Sequence, residues 1–239
     1  MDNVTFSPDG RQVLIGGGGI LHLYDVGTGK WLRTFEGECC VMGVAFSPDG
    51  KQVLAGGTDY AAHLWDTETG KMLRTYQGHG WVDSVAFSAE GKQVLTGWWD
   101  KTACLWETET GKLLQTCQGH LAWVLSAANS PDGRFIATGS SDSTTRLWDA
   151  TSGRELCTLL SFEDGGWAVT DPSGRYDTPH GEDIAGLHWV IGDKPLALSR
   201  LKDYCYDPGL LAKITGASKE SLRSLPSPAE LQRLPSLAK

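Results

Sequence analysis

Three kinds of side chain in this sequence could do chemistry: histidines near acids, cysteines, and tryptophans crowded beside acids. His180, Glu182 and His188 offer imidazole and carboxylate ligands, but they lack the HExxH spacing that sets two histidines on one helix face around zinc. His180-Gly181 and Cys205 offer a base and a thiol for hydrolysis. That cysteine follows 25 residues later, in Asp203-Tyr204-Cys205-Tyr206, with no glycine beside it. Neither GxGxxG, GxxxxGK[ST] nor GxSxG occurs, and Gly16-Gly17-Gly18-Gly19 reads as a turn rather than a phosphate loop. These patterns predict no catalytic residue, no metal centre and no cofactor. What remains is residues 96–107, TGWWDKTACLWE, with three tryptophans in twelve positions.

The elements that must position those rings follow from composition. Thirty glycines and ten tryptophans in 239 residues imply many tight turns between short aromatic-bearing strands. A net charge of −8 argues against a nucleic-acid binder, which needs a basic stripe to neutralise phosphates. The sequence has no apolar run long enough for a membrane span, and the N-terminus has no basic segment leading into an apolar one. Cysteines at 39, 40, 104, 117, 157 and 205 show no CxxC spacing, so the expectation is reduced, mostly buried thiols in a cytoplasmic protein.

The sequence also repeats. Ser7-Pro8-Asp9-Gly10 returns as Ser47-Pro48-Asp49-Gly50, Ser88-Ala89-Glu90-Gly91 and Ser130-Pro131-Asp132-Gly133, with closing glycines 40, 41 and 42 residues apart. Proline second and glycine fourth is type I turn chemistry, so each copy is a hairpin corner. About fifteen residues later come Tyr24-Asp25, Trp65-Asp66, Trp106-Glu107 and Trp148-Asp149, each ending a run of strand formers. A further turn and a last strand, such as Thr67-Glu68-Thr69-Gly70-Lys71 and Leu73-Arg74-Thr75, complete a four-stranded unit. Stacked units of this kind build a propeller.

With Gly78-His79, Gly119-His120, Trp65-Asp66 and Trp148-Asp149 in place, residues 4–160 resemble the WD-repeat family. The resemblance implies an all-β WD-repeat β-propeller with four clear blades over residues 1–160. The period continues through Gly174, Asp183 and Trp189, each 41 residues after its counterpart, which predicts a divergent fifth blade over 161–200. Ser161 there stands at the phase of the histidines. Residues 201–239 are expected to form a short, partly ordered helical tail. Its signals are Leu210 to Ile214 before Gly216, and the capping-box sequence Ser227-Pro228-Ala229-Glu230.

By the same resemblance, a histidine, a hydroxyl, an aspartate and a tryptophan form one hydrogen-bond chain in each regular blade. This sequence holds that set as His79, Thr96, Asp100 and Trp106, and as His120, Thr138, Asp142 and Trp148. Such a network is expected to fix packing rather than catalyse, because an unpaired buried member costs about 1–3 kcal/mol. The second blade has Glu38 and Ala55 at the histidine and hydroxyl positions, and the first has Tyr24 in place of tryptophan. Trp98 and Trp99 have no role in that set. With Trp81 and Trp123 they are candidates for an aromatic partner-binding patch. Only Met1-Asp2-Asn3 precede Val4, so the expected ring is open or partial, with exposed blade faces that invite self-association.

Residues 163–216 also resemble a segment that follows WD repeats in bacterial multidomain proteins, some of which carry a caspase-like peptidase. The combined expectation is a non-catalytic scaffold for other proteins or peptides, a regulatory or sensing module of a larger bacterial assembly. The alternative is a fragment or regulatory region of a caspase-like peptidase or other hydrolase.

Overall fold

The repeated corners carry their own hydrogen bonds. At the first, the Ser7 hydroxyl donates to Asp9 Oδ1 at 2.6 Å and accepts from the Gln12 N–H at 2.9 Å, while Gly10 N–H closes the turn on the Ser7 carbonyl at 2.9 Å. The same bonds recur at Ser47/Asp49 and Ser130/Asp132. In each case the serine hydroxyl holds the aspartate below its ordinary range. The closing glycines have φ of +70° to +71°, which a side chain would strain.

The computed structural model describes residues 3–36, 40–179, 183–184, 187–191, 194–227 and 230. It divides into two units, residues 1–154 and 155–239. In the first unit, β1 (Asn3–Phe6), β2 (Gln12–Gly17), β3 (Ile20–Asp25) and β4 (Trp31–Glu36) form an antiparallel sheet in chain order. The second blade repeats it with β5 (Val41–Phe46), β6 (Gln52–Gly57), β7 (Ala61–Asp66) and β8 (Met72–Gln77). The third has β9 (Val82–Phe87), β10 (Gln93–Trp98), β11 (Thr102–Glu107) and β12 (Leu113–Gln118). A fourth begins with β13 (Val124–Asn129), β14 (Phe135–Ser140) and β15 (Thr145–Asp149). Register is preserved throughout: Val13 faces Tyr24, Val53 faces Trp65, Val94 faces Trp106 and Ile136 faces Trp148.

The core lies between blades. Leu14, Leu21, Leu23 and Phe35 of the first blade pack on Val41, Phe46 and Trp65 of the second. Leu54, Leu64 and Tyr76 then meet Val85, Trp98 and Trp106, and Leu95, Leu105 and Cys117 meet Ala127, Ile136 and Trp148. Outer strands add polar ties. Arg33 donates to the Thr69 carbonyl at 3.1 Å and to that of Glu68, Arg74 donates to that of Glu109, and Gln115 to that of Thr151.

In the second unit, β16 (Glu155–Ser161) pairs with β17 (Trp167–Thr170), and β17 pairs with β18 (Tyr176–Asp177). A separate hairpin joins β19 (His188–Ile191) to β20 (Lys194–Ala197). The four strands expected of the fifth blade are therefore present but divided between two sheets. The cause is the link after Ser161. Phe162 N–H bonds back to the Gly166 carbonyl at 2.9 Å, so the chain returns as a hairpin on β16. Asp183 does not close a strand turn. It accepts instead from the Ser199 N–H at 2.7 Å and the Ser199 hydroxyl at 2.8 Å.

A 3-10 turn (Leu198–Leu201), α1 (Lys202–Cys205) and α2 (Leu210–Thr215) follow. Tyr176, Leu198, Leu201 and Cys205 form their core. Gly216 ends α2 at φ +76°, and Ser227 and Glu230 make the reciprocal capping bonds at 2.7 to 3.3 Å. Among the described residues no helix is long and apolar enough to cross a membrane.

Candidate functional site

Strand periodicity places Val94, Thr96 and Trp98 on one face of β10, and all three are buried. Thr96 Oγ1 accepts from Trp106 Nε1 at 2.8 Å and from Trp98 Nε1 at 2.7 Å, and donates to the Cys104 carbonyl at 3.2 Å. The expected histidine is missing from this chain. His79 is exposed and makes no hydrogen bond among the described residues. Trp98 fills its place. Its six-membered ring lies over Gly78, where an added Cβ would stand 2.4 Å from Cζ3. An indole N–H satisfies the threonine oxygen as an imidazole would, and excludes the imidazole by bulk. Trp98 therefore leaves the aromatic patch and enters the core. Asp100, left without a histidine, caps its own turn through the Thr102 N–H at 3.0 Å and the Thr102 hydroxyl at 2.6 Å.

The fourth blade brings its set together. Trp148 Nε1 donates to Thr138 Oγ1 at 2.8 Å, His120 Nε2 lies 2.7 Å from the same oxygen, and His120 Nδ1 lies 2.9 Å from Asp142 Oδ2. Asp142 also accepts from the Leu121 N–H at 2.9 Å, the Thr144 N–H at 2.9 Å and the Thr144 hydroxyl at 2.6 Å. Burial alone would raise this carboxyl. Its four donors reverse that effect and hold it well below the usual range.

A polar contact that sequence reasoning missed lies in the second blade. His63 Nε2 stands 2.6 Å from Asp59 Oδ2, and its Nδ1 stands 3.1 Å from Thr75 Oγ1. His22 bonds to Thr34 at 3.2 Å at the same station of the first blade. The 41-residue spacing of His22 and His63 on strand-forming runs was the available signal. Glu38 lies outside the described residues, as do Cys39, His180 and Glu182.

The remaining tryptophans converge. Trp99 stacks on Trp123 with ring centroids 4.0 Å apart and planes 8° apart, and the Trp81 ring lies tilted by 43° with its centroid 4.3 Å from that of Trp99. Trp123 is exposed, Leu121 beside it is 76% exposed, and Leu125 is also exposed. Asp83 borders the rings. Burial pushes its carboxyl up, and the neighbouring Trp99 indole draws it partly back.

No three His, Cys, Asp or Glu side chains converge as metal ligands among the described residues. Cys117 and Cys157 are buried, and burial pushes each thiol up to about 12. Cys205 is 2% exposed and shifted the same way, which disfavours the thiolate a nucleophile requires.

The two histidines at the Gly-His phase thus predict opposite outcomes. His79→Ala should leave stability within about 0.5 kcal/mol, as at other surface sites. His120→Ala should destabilise by several times that amount, and urea denaturation of both variants checks the contrast.

Searching curated proteins found no match for the chain. The family model described as WD domain, G-beta repeat matches residues 29–66, 70–107 and 111–149. Residues 29–66, 70–107 and 111–149 are thus similar to three tandem WD repeats, and the strand register and the blade-to-blade core accord with that likeness.

Proposed function

We propose that this chain is a non-catalytic scaffold that binds a partner protein or peptide on its tryptophan face. The supporting observation is the ring cluster of Trp81, Trp99 and Trp123, with Leu121 and Leu125, two residues either side of Trp123 in sequence, also exposed. Tryptophan is enriched among residues that dominate binding energy, and a ring already stacked loses little conformational freedom when a partner covers it. Asp83 at the margin favours partner segments that carry a hydrogen-bond donor. In this reading the chain serves as a regulatory or sensing module of a larger bacterial assembly in the cytoplasm. The hydrolase alternative gains no support from Cys205, which is buried.

The test is selection of peptides from a displayed library against the full chain. Selected peptides should lose roughly 2 kcal/mol or more of affinity with Trp123→Ser, a hot-spot magnitude, while melting stays unchanged. Undiminished binding to that variant would remove the tryptophan face from the site.

A further inference from the structure

The second blade sets an acid, an imidazole and an exposed hydroxyl in one hydrogen-bonded line. Strand register places His63 of β7 directly opposite Thr75 of β8, and Asp59 sits in the turn before β7. Asp59 Oδ2 stands 2.6 Å from His63 Nε2, and His63 Nδ1 stands 3.1 Å from Thr75 Oγ1. An ionised carboxylate can only accept, so the proton of the neutral ring sits on Nε2. Nδ1 then keeps its lone pair, and the Thr75 hydroxyl donates to it. The Met72 sulfur, 3.7 Å from the same hydroxyl, is a weaker acceptor. Thr75 is exposed, whereas the His63 and Asp59 side chains are 15% and 23% exposed. The hydroxyl is therefore open to a reagent while the pair behind it is largely shielded from water. Carboxylate, imidazole and hydroxyl stand as orienter, base and nucleophile, roles that geometry defines whatever their order in the chain.

The neighbouring blades hold incomplete versions of the same line. Thr34 faces His22 at 3.2 Å, but Gly18 stands at the phase of Asp59, and Trp31 Nε1 donates to the Thr34 hydroxyl at 3.2 Å. Thr116, exposed like Thr75, faces the Cys104 sulfur at 4.0 Å. Burial pushes that thiol up, so it supplies no base. One molecule thus contains the complete line, a line without its acid and a line without its imidazole.

We propose that Thr75 is an acyl-acceptor site, with His63 as its general base and Asp59 as the residue that orients the imidazole. Thr75 Oγ1 attacks the carbonyl carbon of an activated ester as its proton passes to His63 Nδ1. The new acyl–oxygen bond forms, the bond to the leaving alkoxide breaks, and His63 returns the proton to that leaving group. The product is an O-acyl threonine and a free alcohol, with no change of oxidation state. The site takes up one acyl group and needs no turnover, and the inference is independent of the tryptophan face.

The test is acetylation of the full chain by p-nitrophenyl acetate, followed residue by residue with peptide mass mapping. Thr75 should be acetylated about a hundredfold faster than Thr116, the lower end of what a positioned general base contributes, with Thr34 between them. His63→Gln keeps a hydrogen-bonding side chain but takes no proton, and should bring Thr75 down to the Thr116 rate. Asp59→Asn should slow Thr75 toward the Thr34 rate, and Asp59→Glu should restore part of the loss. Unchanged rates at Thr34 and Thr116 in the same variants show that the blades remain folded. Thr75 acetylated no faster than Thr116 overturns the proposal, as does fast labelling that persists in His63→Gln. Thr34 as fast as Thr75 overturns it too, because the acid then plays no part.

Discussion

Trp98→Ala should lower the stability of the repeat unit by roughly 3–5 kcal/mol, the range for emptying a large aromatic site in a packed core. The reasoning rests on burial and bonding together. Trp98 is 1% exposed, packs with Leu54, Leu64 and Trp106, and donates to Thr96 at 2.7 Å. Removing it leaves a hole between the second and third blades and takes one donor from Thr96. Thermal denaturation should show a fall of about 10 °C, at 2–4 °C per kcal/mol for a chain of this size. Trp98→Phe keeps most of the volume and loses only the N–H, so it should cost about 1–2 kcal/mol. Trp99→Ala, one residue on, removes a half-buried ring from the aromatic stack and should change melting much less. Equal effects at 98 and 99 would refute the division between core and surface rings.

Asp142→Ala should cost about 3–5 kcal/mol, because it strips a buried histidine of its partner and orphans two N–H groups and a hydroxyl. The side chains of His120 and Asp142 are 1% and 6% exposed, so solvent cannot substitute for the lost carboxylate. Asp100→Ala breaks only a local turn with Thr102 and should cost about 1 kcal/mol. The Asp142 contribution also depends on pH. The folded pKa of Asp142 is depressed, so its contribution is fully present above the unfolded value of about 3.9 and is lost as pH falls through the lower folded value. Urea denaturation from pH 6 downward should therefore show a steep stability loss below about pH 4 in the natural chain, and a shallower one in Asp142→Asn.

Much of this fold was legible because its information is local. Ser-Pro-Asp-Gly and the Asp-x-x-Thr corner each hold a hydrogen-bonded turn together within a few residues, so their recurrence gives strand boundaries and register directly. The His120 set was legible for the same reason, since its four members keep the repeat phase. Trp98 was not, because its role depends on volume. A tryptophan at Ser140's station displaces the histidine only because Gly78 opposite leaves room for the ring, and that fit is a tertiary fact. The period-2 phase of Thr96 and Trp98 was the usable clue. The second unit was harder still. Its glycines and tryptophan continue the 41-residue spacing, yet spacing does not say whether a link crosses to the next sheet or turns back. The hairpin from Phe162 to Gly166 decides that, closed by the Phe162 N–H on the Gly166 carbonyl and by Asp164 Oδ1 accepting from the Gly166 N–H; Asp164-Gly165-Gly166 was the local turn signal.

Corners that hold themselves together also bear on how such a gene can change. A unit whose turns need nothing from distant residues, and whose two faces repeat those of its neighbours, can be duplicated or deleted whole without redesigning the rest. Array length then becomes a quantity that recombination can vary by single units, while changes such as a tryptophan at the station where the next blade has Ser140 accumulate one interface at a time.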